Sequence, residues 1–148
     1  MIFVKKHNLV TDKPIEIVRN DLKSSTEKLI VTELSETKLY GYMKNTHGRG
    51  YNIVSDINLK EKVDRKTIVE IKNEFDLLTN LFLIAIFVGL WGIAIYKLIN
   101  GANNLSFELI LMLTFPIIGA LITKSSFGIY EKRLMKIYSS LLENEKPN

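Results

Sequence analysis

A chain of 148 residues with a net charge of +4 and no cysteine has room for one small domain plus an anchor, and it excludes disulfides, thiol catalysis and thiolate metal sites. Basic and acidic residues alternate closely instead of gathering on one basic face, so nothing points to nucleic acid as a partner; the mild positive charge suits an anionic membrane surface. The informative feature is segregation: residues 1–77 carry 14 Lys/Arg and 12 Asp/Glu, and residues 78–148 only 6 and 4.

The richness in Lys, Asn and Ile suggests an AT-rich bacterial genome. Met1-Ile2-Phe3-Val4-Lys5-Lys6 does not read as a signal peptide, because the apolar run is too short and a basic pair follows it. A cytoplasmic head is the simpler expectation. Residues 2–10 read as a strand with Phe3, Lys5, His7 and Leu9 on one face and Ile2, Val4, Asn8 and Val10 near the other. A helix should follow, capped by Thr11 or Asp12, with Pro14 in its first turn and Ile15, Val18 and Leu22 on its apolar face. It should end near Ser24-Ser25.

Three or four strands come next: 28–33, the Tyr-rich 38–44, 51–59 with Tyr51, Ile53, Ile57 and Leu59 on one face, and 67–74 with Val69 and Ile71 among charged neighbours. Thr46-His47-Gly48-Arg49-Gly50 reads as a hairpin turn and 62–66 as the next turn. The first 76 residues are therefore expected to form a small, mostly antiparallel sheet with one helix on it.

From Leu77 to Tyr96 no residue is charged, and 20 residues at about 1.5 Å each cover the ~30 Å hydrocarbon core of a bilayer. Thr79 and Asn80 fit the near interface, and Trp91 and Tyr96 lie toward the far end. Between Glu108 and Lys124 lie 15 uncharged residues, short for a span unless Lys124 snorkels and the helix runs from Leu105 to Ile129. Pro116 and Gly119 fall in its middle, where Pro116 can kink it; a re-entrant segment is the alternative. Asn100-Gly101-Ala102-Asn103-Asn104 is a turn by composition. Basic residues flank the hairpin at Lys60, Lys62, Arg65, Lys66 and Lys72 before it and at Lys124, Lys132, Arg133 and Lys136 after it, against Lys97 alone beside the turn. Both termini are thus expected in the cytoplasm. The hairpin shows no pair of ionisable residues of the kind ion and proton paths use, and two helices alone enclose no pore.

After the second span Phe127, Tyr130, Leu134, Ile137 and Leu141 recur at helical steps, with Glu131, Lys132, Arg133 and Lys136 elsewhere on the wheel. This amphipathic helix can pack on the head, lie on the membrane or pair with another copy; packing on the head is the simplest reading. The expected whole is an α+β membrane protein: a cytoplasmic α+β head over 1–76, a transmembrane hairpin over 77–129 with spans at about 77–99 and 105–126, and a cytoplasmic amphipathic helix and tail over 127–148.

Chemistry is hard to find. His7 and His47 sit far apart, without metal-ligand spacing or an Asp-rich loop. Gly48-Arg49-Gly50 lacks both P-loop spacing and a following helix. No carboxylate pair stands in an apolar setting, and neither Ser24-Ser25-Thr26 nor Ser125-Ser126 has an attached base. No catalytic, cofactor-binding or metal-ligating residue is assigned, and no enzyme is expected.

The strand pair 51–59 and 67–74 running directly into Leu77–Tyr96, with Phe115-Pro116 inside the second span, resembles small, largely uncharacterised bacterial membrane proteins with a β-rich cytoplasmic head and a two-helix hairpin. A fainter resemblance is to START-like, helix-grip domains: a first strand, a Thr-Asp-Lys-Pro helix start, successive antiparallel strands and a C-terminal helix, with the hairpin inserted before the last helix and several strands fewer. Neither resemblance carries over functional residues. The expected role is a membrane-anchored interaction or accessory protein whose partners are the lipid bilayer and a protein or second copy. The alternative is a lipid or small-hydrophobe binder with a START-like head and an apolar pocket under Tyr40, Tyr42 and Tyr51.

Overall fold

A computed structural model describes residues 3–24, 29–43, 53–62, 66–100 and 107–143. The elements run β1 (Val4–Thr11), α1 (Ile15–Lys23), β2 (Leu29–Ser35), β3 (Lys38–Met43), β4 (Ile53–Glu61), β5 (Thr67–Phe75), α2 (Leu77–Ile99) and α3 (Phe107–Glu143). The expected turn at 46–50, with His47 and Gly48-Arg49-Gly50, lies outside the described residues, as do Tyr51 and most of the 100–104 connector.

The five strands form one antiparallel sheet in the order β1-β5-β4-β3-β2. Strands β2 to β5 follow one another as neighbours, and the chain's first strand closes beside its last. Strand alternation decides the two faces. The face toward the helices carries Leu29, Leu39, Ile53, Ile57, Leu59, Val69, Ile71 and Phe75, which join Val18 and Leu22 of α1 and Phe127, Leu134, Tyr138 and Leu142 of α3 in one core. Each such side chain contributes about 1.5–3 kcal/mol by leaving water. Tyr40 and Tyr42 point to the opposite face, with Leu39 and Gly41 buried between and beside them; they do not overlie the helix-covered core.

The start of α1 differs from expectation. Pro14 is its N-cap residue, without a side-chain cap. The Thr11 hydroxyl instead accepts from the Lys13 N–H at 3.4 Å, upstream of the helix, and Asp12 pairs with Lys66 at 2.8 Å. Proline's fixed φ starts the helix with no capping oxygen. At the other end Lys23 and Arg19 reach Glu33 of β2, and the hydrogen bond from Lys23 holds the Glu33 carboxyl below the usual range.

The larger difference concerns the C-terminal half. The second apolar segment and the helix expected after it are one 37-residue helix, α3. Pro116 lies within it, and neither Ser125-Ser126 nor Gly128 interrupts it. Hydroxyls inside the apolar stretch are satisfied locally: Thr114 donates to the Ile110 carbonyl and Thr123 to the Gly119 carbonyl, both at 2.8 Å. Helices α2 and α3 are both long and apolar enough to cross a membrane, with only 17% of each apolar window buried.

Candidate functional site

Two places in the molecule gather unusual residues: the track along which α3 crosses the sheet, and the cleft between α2 and α3.

The track follows from register. Lys5 of β1 stands opposite Asn73 of β5, Asn73 opposite Ser55 of β4, and Ser55 opposite Gly41 of β3. One row of small or polar residues thus runs across the helix-facing side of the sheet, flanked by apolar rows. Helix α3 sets three residues along it at steps of four and three. Glu131, 2% exposed, takes Lys5 Nζ at 3.0 Å on Oε2 and has His7 Nε2 2.5 Å from Oε1. The histidine contact is close but not aligned as a hydrogen bond. Met135 Sδ accepts from Asn73 Nδ2 at 3.4 Å, and the Asn73 carbonyl oxygen accepts from the Ser55 hydroxyl at 2.6 Å. Tyr138 lays its fully buried phenol against Gly41. Its hydroxyl has no aligned hydrogen-bond partner. Burial pushes its pKa up to about 12, and the nearby Ser55 hydroxyl opposes that shift.

His7 is thus half-buried against a carboxylate, and Glu131, read as lying off the apolar stripe of its helix, is part of the buried one. The buried stripe is Phe127, Glu131, Leu134, Tyr138 and Leu142, with Tyr130, Ile137 and Leu141 at its margin. The sequence contains no local signal for this shift, because Lys5 and His7 lie more than 120 residues away from their partner. The alternating placement of Lys5 and His7 beside Phe3 and Leu9 on β1 was the available clue.

The track ties α3 to the sheet: Glu131 is engaged by Lys5 and His7, and among the described residues no further ion pair reaches it. Among the described residues no group of three or more His, Asp or Glu side chains could hold a metal ion. On the opposite sheet face Lys72 sits between Glu74 at 2.8 Å and Asp56 at 3.9 Å. The hydrogen bond to Glu74 raises the Lys72 pKa, and burial, then the charges of Asp56, Asp76 and Glu74, raise that of Tyr40.

The cleft has a different character. Phe87, Trp91, Gly92 and Ile95 of α2 and Pro116 and Ile117 of α3 line an open apolar space of about 590 Å³. Leu83, Phe87 and Leu90 of α2 and Phe115, Gly119 and Thr123 of α3 line a second, smaller space between the two helices. A Cβ on Gly119 would lie 3.6 Å from the Phe87 ring, ordinary contact, whereas Gly92 faces open space. Trp91, expected near an interface, lines this cleft about 21 Å along α2 from Leu77.

The hairpin and the head are joined without slack. Asp76 alone separates β5 from α2, and its Oδ1 accepts from the Thr79 N–H at 2.8 Å. The buried Asn80 side chain donates to the Phe75 carbonyl at 2.7 Å. Phe3, Phe75 and Phe127 pack around this junction with ring centroids 4.9–6.1 Å apart. Searched against known families and curated proteins, the sequence matches no family model and no curated protein.

Proposed function

We propose that this chain is a membrane-anchored interaction protein, multi-pass with both termini in the cytoplasm, whose hairpin docks against another membrane helix from a partner or a second copy. The observation that carries this reading is the apolar cleft between α2 and α3. It is open along one flank of the hairpin, with Gly92 free of any neighbour on one wall and Pro116 on the other. Small residues at such a place let a third helix approach closely. The hairpin is fused to the head at two points, by Asp76 and by the unbroken α3, so a partner gripped in the membrane is held at a fixed position under the sheet. Low burial of both apolar helices supports insertion, since the core helix of a soluble protein is mostly covered. Lys97 as the one basic residue beside the turn, against several on the other side, supports the orientation.

The alternative reading, a lipid or small-hydrophobe binder using a space between sheet and helices, draws support from the strand order, in which β1 closes beside β5 under a long C-terminal helix. It has to contend with Val18, Leu22, Leu134 and Tyr138, all fully buried on that side.

The absence of native cysteine makes a clean test. Single cysteines at Gly92 and Ile117 are treated with a membrane-permeant bismaleimide in native membranes. A discrete crosslinked species of dimer mass, or of partner mass where the partner presents a thiol within reach of the second maleimide, is the expected result. Monomer alone from both positions, with lipid retained by the purified protein, would overturn it in favour of the lipid-binding reading.

A further inference from the structure

We infer that the exposed face of α3 just beyond the bilayer binds the phosphate-bearing headgroups of anionic lipids. The inference rests on the membrane-spanning reading above and adds a ligand class that the interaction reading does not require.

Four cations carry it: Lys124, Lys132, Arg133 and Lys136, all exposed. In the head, Lys5, Lys13, Arg19, Lys23, Lys60, Lys66 and Lys72 each have a carboxylate within 4 Å; among the described residues Lys6, Lys38 and Lys62 do not, but they are scattered over separate strands and ends of the sheet. Among the described residues, none of the four on α3 has such a carboxylate. Their helix turns its buried stripe, Phe127 to Leu142, toward the sheet, so Lys132, Arg133 and Lys136 point away from it, while Lys124 lies in line with the stripe but before the sheet-covered part of the helix begins at Phe127. The Arg133 guanidinium lies 5.9 Å from the centre of the Tyr130 ring, a contact that steadies it without neutralising it.

Depth makes the assignment specific. On the membrane-spanning reading the uncharged run that starts at Leu77 puts the hydrocarbon edge on α2 next to Asp76, and Leu77 and Leu78 there are 72% and 76% exposed. The Phe87 ring lies beside Gly119 on the antiparallel α3, and four residues away on each helix Leu83 and Thr123 line the same space. Six residues back on α2 is Leu77, and six residues on along α3 is Ile129, so the two are level. Lys132 and Arg133 then lie about 4.5–6 Å outside the hydrocarbon and Lys136 about 10 Å outside. The headgroup layer is roughly 5–8 Å thick on each side, and the Debye length is about 10 Å at 0.1 M salt. Lys124 sits below the edge with a side chain long enough to snorkel up to it. The four charges therefore span the headgroup layer from beneath it to its outer margin. Clustered cations at this depth attract anionic lipids, and the planar fork of Arg133 suits a phosphate diester.

The test uses the full chain in phosphatidylcholine nanodiscs containing a minor fraction of spin-labelled lipid. The motionally restricted fraction is compared for labelled phosphatidylglycerol and labelled phosphatidylcholine. The expected result is a several-fold preference for phosphatidylglycerol that falls toward unity in K124Q/K132Q/R133Q/K136Q and in high salt. It should survive in Lys60→Gln, whose lysine is ion-paired in the head. Because a quadruple variant can misfold, Lys132→Gln/Arg133→Gln is measured beside it and should lose part of the preference. Inorganic phosphate should compete no better than chloride at equal ionic strength. Incorporation without preference, or a preference untouched in both variants, would overturn the assignment and leave the face to an acidic protein. Failure of the chain to enter nanodiscs would overturn the membrane-spanning reading and this inference with it.

Discussion

The hydroxyl of Tyr138 lies where a Cβ on Gly41 would have to be. Helix α3 comes this close to the sheet because β3 offers no side chain at that point, and the buried phenol cannot swing away. Replacing Gly41 by Ala should therefore destabilise the head by about 1–3 kcal/mol. The phenol carbon that bears the hydroxyl would be 3.5 Å from the new Cβ, an ordinary contact. Tyr138→Phe should then restore most of the loss in the G41A background. Thermal unfolding of the two single variants and the double variant checks this; additive losses would show that the clash is not the cause.

The same phenol predicts behaviour in alkali. In the unfolded chain a tyrosine ionises near 10, and in the folded head Tyr138 ionises near 12. Between these values the folded state binds the proton that the unfolded state has released, so stability falls as pH rises from about 10 to about 12 and is fully present below that window. The loss amounts to roughly 2–3 kcal/mol. Unfolding midpoints across this range should drop more steeply for wild type than for Tyr138→Phe, in which the contribution is missing. Parallel curves would contradict the burial of this side chain.

Much of the fold was legible because local patterns were consistent with it. Alternation of Ile53, Ile57 and Leu59, the apolar run after Asp76 and the spacing of Ile15, Val18 and Leu22 each follow from one element's own period. What could not be read depended on distant partners. Nothing near residue 131 announces that its carboxylate will meet Lys5 and His7, so a charged residue read as lying off the apolar stripe is buried. Nor does composition distinguish a break at Ser125-Ser126 from an unbroken helix; packing of Phe127 on Phe75 and Phe3 favours continuity. The cleft at Gly92 depends on how two helices lean together, which no single helix encodes.

The Glu131 pair should respond asymmetrically to substitution. Lys5 and His7 side chains are 45% and 34% exposed, while that of Glu131 is 2% exposed. Replacing Glu131 by Leu leaves the Lys5 and His7 side chains able to turn to water, so the expected change is within about 1 kcal/mol, and stabilisation is allowed. Removing both polar partners, as Lys5→Met with His7→Phe, leaves a buried carboxylate uncompensated and should cost about 3–5 kcal/mol. Chemical denaturation of the two variants decides the point: a larger loss from Glu131→Leu would mean that the ion pair itself, and not relief of a buried charge, governs this contact.

Asn80 sets hydropathy against hydrogen bonding in the first turn of α2. Asn80→Leu makes α2 more apolar, which by partition alone should favour insertion. Yet Asn80 is 5% exposed and donates to the Phe75 carbonyl, the last residue of β5. With Asp76 as the one connecting residue, that bond fixes the direction in which α2 leaves the sheet. Losing it in an apolar setting should cost about 1–3 kcal/mol. The expected outcome is a variant that still inserts fully, as judged by carbonate extraction, but whose head unfolds at lower temperature and is cut more readily by protease near residue 76. Unchanged protease resistance would show that the Phe3–Phe75–Phe127 packing alone holds the junction.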